Sequence, residues 1–116
     1  MDKTISIGDR EVGFRATALT PRLYRFRLNR DMIQDLNNLT KAFEKNKKEN
    51  SMLTMEQLEI FENAAYIMAK QYDDSIPDSP DEWLDTFEMF SIWEILPQIL
   101  ELWGMNQMTT SQAKKK

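Results

Sequence analysis

The sequence predicts a mainly α protein with a small β component (α+β), in which an N-terminal β-hairpin is followed by four to five helices. Three observations predict this class. Apolar and polar residues alternate before residue 17, helix-start signals recur after it, and apolar residues between those signals repeat every three or four positions. The 116 residues suit one domain. We expect this single domain to occupy residues 1–104 and residues 105–116 to form a flexible tail.

The alternation at the N-terminus has the period of a β-strand, and the two-residue link Gly8-Asp9 interrupts it. Its apolar positions are Ile5, Ile7, Val12, Phe14 and Ala16. A two-residue link with glycine first is typical of a hairpin with a type II′ turn. Because a lone hairpin is marginally stable in water, we expect it to pack on the helices or to pair its edges with another chain.

Thr20 and Pro21 predict the first helix start, with threonine as the cap and proline at the first helical position. Asn29 offers a second cap, for the helix that follows. The apolar stripe of this second helix consists of Met32, Leu36, Leu39 and Phe43. The polar run Lys45–Asn50 then predicts a solvated loop.

Two stronger capping signals predict the later helices. Thr54 and Gln57 form a capping box. The stripe after it consists of Leu58, Phe61, Ala65, Met68 and Tyr72. Ser79–Glu82 combines an N-cap, a first-turn proline and a capping-box glutamate, and it opens a further predicted helix. The apolar residues of that helix are Trp83, Leu84, Phe87 and Phe90. A similar signal at Ser91–Glu94 predicts a bend before the last helix.

The side chains that most often carry catalysis are scarce in this chain. It has no His and no Cys, and its three glycines lie apart. The commonest general base, the thiol nucleophile and a phosphate-binding loop are therefore missing. The dense acidic cluster at residues 73–85 lacks the residue order of a calcium loop, and negative charge at a helix start has a structural reason. We expect no enzyme activity, no cofactor and no metal site.

Hydropathy and charge argue against membrane proteins and against general nucleic-acid binders. No stretch approaches the ~18 apolar residues that span a bilayer, and the polar N-terminus carries no secretion signal, so we expect a cytoplasmic protein without membrane contact. Residues 1–50 have a charge of +4 and residues 51–116 a charge of −8, within a net charge of −4. An acidic chain is a poor binder of nucleic acid, whereas halves of opposite sign favour head-to-tail self-association.

The segment 22–30 interleaves four arginines with Tyr24 and Phe26. Such a segment can hold phosphates and stack bases, and a small nucleic-acid-binding regulator is therefore an alternative function. The strong negative charge elsewhere favours another interpretation, in which Tyr24, Phe26 or Leu28 enters the core and the arginines meet acidic groups of residues 79–103 or of a neighbouring chain. Together with the hairpin, this segment supplies the self-association candidates Ile5, Ile7, Arg22, Arg25 and Arg27.

Residues 83–103 hold more large apolar side chains than one helical face can bury. An unusually aromatic core and a cluster that is partly core and partly interface explain this density equally well. Tryptophan and tyrosine are enriched at binding hot spots, and an exposed apolar patch marks a partner site. The candidate partner-binding residues are Trp83, Phe87, Phe90, Trp93 and Trp103.

Several stretches share their residues and their order with a known family. They are Val12–Ala18 continuing into Thr20–Arg25, then Leu58–Lys70, Ile76–Leu84 and Ile95–Trp103. On these stretches, which span most of residues 5–104, the chain resembles the tail assembly chaperones of phages and prophages of Gram-positive bacteria. None of the stretches is a chemical signature by itself, and the specificity of the resemblance comes from their combination.

The resemblance implies a non-enzymatic protein that coats the long, helical tape measure protein before the tail tube polymerises around it. Such a protein acts in the host cytoplasm, is absent from the mature virion and often forms a homo-oligomer. Family members commonly also make a longer, frameshifted product. An A-rich slippery sequence would encode the terminal Lys114–Lys116, although an ordinary solvated tail explains these lysines better. A structural head–tail connector is a further alternative.

Overall fold

The computed structural model describes residues 1–49, 53–91 and 94–104, without the side chains of residues 46–49. The strands are β1 (Asp2–Ile7) and β2 (Arg10–Arg15). The helices are α1 (Thr20–Leu28), α2 (Met32–Glu49), α3 (Met55–Tyr72), α4 (Pro80–Leu84) and α5 (residues 94–104). The predicted class, a hairpin followed by four to five helices, is confirmed. The predicted tail at 105–116 lies outside the described residues.

The hairpin forms as the alternation predicted. The strands are antiparallel with Ile5 opposite Val12, and both side chains face the core. Gly8 has a φ of 65°, while the following residue does not have a positive φ, and a type II′ turn requires this combination of signs. The β2 strand lies against α3, where the ring of Tyr72 covers Gly13. The hairpin is therefore stabilised by the central helix.

The first two helix starts differ from the prediction in their capping residues. Leu19 precedes α1 without a side-chain cap, because the Thr20 hydroxyl accepts from the Thr17 backbone N–H and donates to Gln71 instead. Asn29 does not cap α2. It ends α1 in the left-handed conformation, with a φ of 56° and a ψ of 39°. The α2 cap is Asp31, whose carboxylate accepts from the backbone N–H groups of the second and third residues of that helix.

The predicted loop at 45–50 is wrong as far as residue 49, because α2 continues to Glu49. Lysine and glutamate have good intrinsic helix propensity. The buried residues Met32, Leu36 and Leu39 anchor the helix on the core, so the polar residues after them extend an existing helix at little cost. Asn50 lies outside the described residues.

The central helix of the fold is α3. Its capping box is confirmed, since Gln57 N–H donates to the Thr54 hydroxyl while the Gln57 side chain accepts from Thr54 N–H. Every residue from Ala64 to Ala69 is buried. Residues 64–69 of α3 are thus enclosed on all sides, whereas the sequence predicted an amphipathic stripe.

The helix predicted to carry Phe87 and Phe90 ends at Leu84. The Thr86 N–H and hydroxyl both donate to the Trp83 carbonyl, and Phe87 N–H donates to the Leu84 carbonyl. These three-residue turns replace the helical hydrogen bonds, so residues 85–91 are neither helix nor strand. The bend predicted at Ser91–Glu94 lies partly outside the described residues.

The core lies where the hairpin, α3, α4 and α5 meet. Among its fully enclosed side chains are Phe14, Phe61, Tyr66, Trp83 and Leu96. An ion pair between Lys3 of β1 and Glu101 of α5, with an N–O distance of 3.4 Å, joins the two ends of the described chain. In the part of the chain that the structure describes, none of the helices is both long enough and apolar enough to cross a membrane.

Candidate interaction site

The five predicted partner-binding residues do not share one environment. Trp83 and Trp103 are only 1% and 3% exposed, so neither indole is available to a partner in this conformation. Phe87 and Phe90 are half-buried and reach the surface. Trp93 lies outside the described residues. Phe87 and Phe90 pack against the core and also reach the surface, so the aromatic cluster is partly core and partly surface.

An aromatic cluster is built around Trp83, which α4 places between the hairpin and α3. On its core side, the Trp83 ring contacts the rings of Phe14 and Tyr66, with centroid distances of 6.4 and 5.8 Å. The rings of Phe87 and Phe90 contact it from the outer side, at 5.1 and 5.5 Å. All four pairs are edge-to-face, an arrangement that the ring quadrupoles favour. The outer rings therefore rest on a rigid aromatic base.

Arg10 holds the irregular segment against the hairpin. Its guanidinium lies 4.1 Å from the centroid of the Phe87 ring and donates to the carbonyl and the hydroxyl of Thr86, each at 3.0 Å. A cavity of about 420 Å³ opens beside these contacts, between the hairpin turn and residues 86–89. Phe87 also lines this cavity. Arg10 therefore anchors the segment 86–89 while leaving part of the Phe87 ring accessible.

Met89 completes the exposed part of the cluster, with 72% of its surface exposed. We call Phe87, Met89 and Phe90 the aromatic patch. Met89 was not among the predicted partner-binding residues, because the sequence assigned this stretch to a regular helix and favoured its aromatic residues. The threonine and glutamate that alternate with these apolar residues are the signal that could have indicated a non-helical segment.

The predicted self-association residues also separate into groups. Ile5 and Ile7 are 0% and 3% exposed and serve the core. Arg27 is engaged, since its guanidinium lies 5.0 Å from the Tyr66 ring and donates to the Asp78 carbonyl. Arg22 and Arg25 are exposed, and neither guanidinium has a hydrogen bond or an ion pair within the described ranges. These two remain available to another molecule.

The acidic residues of 73–78 make local contacts. Asp73 accepts from Ser75, and Lys70 donates to the Asp78 carboxylate and to the carbonyls of Asp74 and Ile76. In the residues described, no group of three or more carboxylates is arranged to hold a metal ion. The local contacts tie the loop after α3 to that helix.

Comparisons with protein-family models, with curated proteins and with solved structures found no match. The fold and the site themselves define a small α+β protein with an aromatic surface patch held on its core.

Proposed function

We propose that the chain is a non-enzymatic tail assembly chaperone, which binds and solubilises a long tape measure protein while a phage tail is built. The observation that supports this best is the aromatic patch, where Phe87, Met89 and Phe90 reach the surface above Trp83. Aromatic residues and methionine are enriched at protein interfaces. The resemblance over most of residues 5–104 suggests the partner, and the patch offers a surface for it.

The chemistry of the patch suits the apolar stripe of a helix. Phe87 and Phe90 rest on a rigid base, so little conformational entropy is lost when they bind. Met89 is unbranched and flexible, and it can adapt to irregular spacing along a long partner. One patch of three side chains binds weakly. Many copies along one tape measure protein achieve high occupancy through multivalency, while tail tube subunits can still displace each copy.

This function places the protein in the host cytoplasm during assembly and outside the finished particle. A head–tail connector would instead remain in the virion. Mass spectrometry of purified virions distinguishes the two functions. A connector should be present at the stoichiometry of a structural component, whereas a chaperone should not.

The direct test is co-expression with the proposed partner, a tape measure protein. We expect that partner to be soluble with the chain and aggregated without it. Met89→Ser removes an exposed apolar side chain without touching the core, and it should lower the soluble partner by about threefold or more if the patch is a hot spot. Circular dichroism of the variant should remain that of the wild type.

Ile33→Ser provides the matched control, because Ile33 is 45% exposed on α2, away from the patch. It should leave partner solubility unchanged. An unchanged soluble yield when the chain is omitted altogether would disprove the chaperone function. An equal loss with both variants would contradict the role of the aromatic patch.

A further inference from the structure

An apolar groove lies between the first half of α3 and α4, separate from the aromatic patch. It encloses about 500 Å³. Half-buried Leu58 and Leu84 form its apolar walls, and Glu59, Glu62 and Asp81 line it with carboxylates. We call these five residues the acidic groove.

The carboxylates of the acidic groove have no compensating charge. None of them has an ion pair within residues 1–49, 53–91 and 94–104. Burial raises the pKa of Glu62, and the negative charges of Glu59 and Asp81 raise it further. The groove thus combines apolar walls with mutual repulsion that a cation would relieve.

The complementary chemistry lies on α1. Leu19, Leu23 and Phe26 follow one another at spacings of four and three residues and form one stripe along the helix. Phe26 is 89% exposed and Leu19 48% exposed. Arg22 and Arg25 lie along one side of the stripe with their unpaired guanidinium groups. We call these five residues the α1 face.

The α1 face cannot fill the groove of its own chain. Phe26 lies beside Ile67 of α3, and Ile67 is about 12 Å along the helix axis from Glu59. The hydrogen bond between Thr20 and Gln71, 2.6 Å long, fixes α1 on the second half of α3. Each copy of the chain therefore carries an apolar cationic surface and an apolar anionic groove that stay apart.

We propose that the α1 face of one copy binds the acidic groove of a second copy of this chain. Phe26 enters between Leu58 and Leu84, and the two adjacent arginines face the carboxylates of the groove. Burial of apolar surface supplies the attraction, and the opposite charges select the orientation. This contact goes beyond the proposed function, since it uses neither the aromatic patch nor a tape measure protein.

Sedimentation velocity of the full chain tests the contact. The wild type should associate in a concentration-dependent way, and more weakly at about 0.5 M than at about 0.05 M salt, because screening weakens the charge pairs. Arg22→Glu/Arg25→Glu and Glu59→Lys/Asp81→Lys should each raise the dissociation constant about tenfold or more. Phe26→Ser should do the same without a change of charge.

A charge-matched control is Lys41→Glu/Lys45→Glu, which reverses two exposed charges on α2 and should associate like the wild type. Melting temperatures of all variants identify any that fail to fold. The two charge-reversed variants should then recover association when they are mixed. One partner contributes an intact α1 face and the other an intact groove, and the two mutated surfaces are also opposite in charge.

Three results would overturn the contact: a wild type that stays monomeric at high concentration, charge-reversed variants that associate like the wild type, or a mixture that fails to recover association. Retention of single-stranded DNA by the wild type that Arg22→Glu/Arg25→Glu abolishes, with no self-association, would assign the α1 face to nucleic acid instead.

Discussion

Asp35 shows how a single charged residue is accommodated in this core. It is 7% exposed, and its carboxylate accepts from the Tyr24 hydroxyl at 2.8 Å and from the Arg30 guanidinium at 2.7 and 3.0 Å. The hydrogen bond from Arg30 lowers the pKa of Asp35, and the bond from Tyr24 lowers it further against the opposing effect of burial. Burial, followed by the Asp35 hydrogen bond, raises the pKa of Tyr24. The three residues join α1 to α2.

Asp35→Asn should reduce the free energy of unfolding by about 1–3 kcal/mol at neutral pH, because it removes a charge-assisted network whose arginine is half exposed. The pKa of Asp35 is lowered on folding, so its contribution is present above the unfolded pKa and is lost as the pH falls through the folded pKa. The difference between variant and wild type should therefore shrink below about pH 4. Urea unfolding at neutral and acidic pH measures both effects.

The contrasting variant is Asp2→Asn, which breaks the exposed pair with Arg15. An exposed pair contributes little, and a loss of stability much smaller than that of Asp35→Asn is expected. A loss from Asp35→Asn that is no larger than this, or that does not depend on pH, would contradict the network.

At the scale of elements, two glycines support the hairpin for different reasons. Gly8 adopts a positive φ in the turn, and a Cβ there would meet nothing within 4 Å. Gly13 lies under the ring of Tyr72, which a Cβ would overlap. The Arg15 guanidinium also lies 5.5 Å from the Tyr72 ring. Backbone conformation requires the first glycine, and the close approach of α3 requires the second.

Gly8→Ala should cost about 1 kcal/mol through the left-handed backbone alone. Gly13→Ala should cost about 1–3 kcal/mol, because the Tyr72 ring must move. Thermal unfolding in a Tyr72→Ala background distinguishes the causes. The cost of Gly13→Ala should fall sharply there, and the cost of Gly8→Ala should stay the same. Equal costs of Gly13→Ala in both backgrounds would exclude the overlap as its cause.

At the scale of the whole molecule, Trp83 joins parts of the chain that are distant in sequence. Its ring contacts Phe14 of β2, Tyr66 of α3, and the outer rings of Phe87 and Phe90. The indole N–H is buried without a hydrogen-bond partner within the described ranges. Packing of the ring therefore accounts for the stability that Trp83 contributes. The unpaired indole N–H reduces that contribution, because burying a polar group without a hydrogen bond costs free energy.

Trp83→Ala should destabilise the protein by about 3–5 kcal/mol, because it leaves a large cavity at the centre of the fold. Trp83→Phe keeps an aromatic ring and removes the unpaired donor, so we expect less than half of that loss. Denaturant unfolding monitored by far-ultraviolet circular dichroism measures both. If the two variants were equally destabilised, the loss of a hydrogen bond from the indole N–H would explain the destabilisation better than the loss of packing.

The parts of the fold that could be predicted depend on residues close together in sequence. The hairpin, its turn and the capping box of Thr54 and Gln57 each require only a few neighbouring side chains. The errors lie where two local signals compete. Asn29 and Asp31 are both good caps, and in the structure Asn29 ends α1 whereas Asp31 caps α2. The end of α4 at Leu84 was missed because Thr86 hydrogen bonds displaced an otherwise regular helical pattern.

The candidate site depended more heavily on tertiary contacts. The sequence by itself determined the hairpin, the order of the helices, the opposite charges of the two halves and the aromatic density of residues 83–103. Only the tertiary structure decided that Trp83 and Trp103 are buried while Phe87, Met89 and Phe26 reach the surface. The physical reason is that periodicity gives the direction of a side chain relative to its own helix. Burial depends on which other elements pack against that side, and those elements lie far away in the sequence.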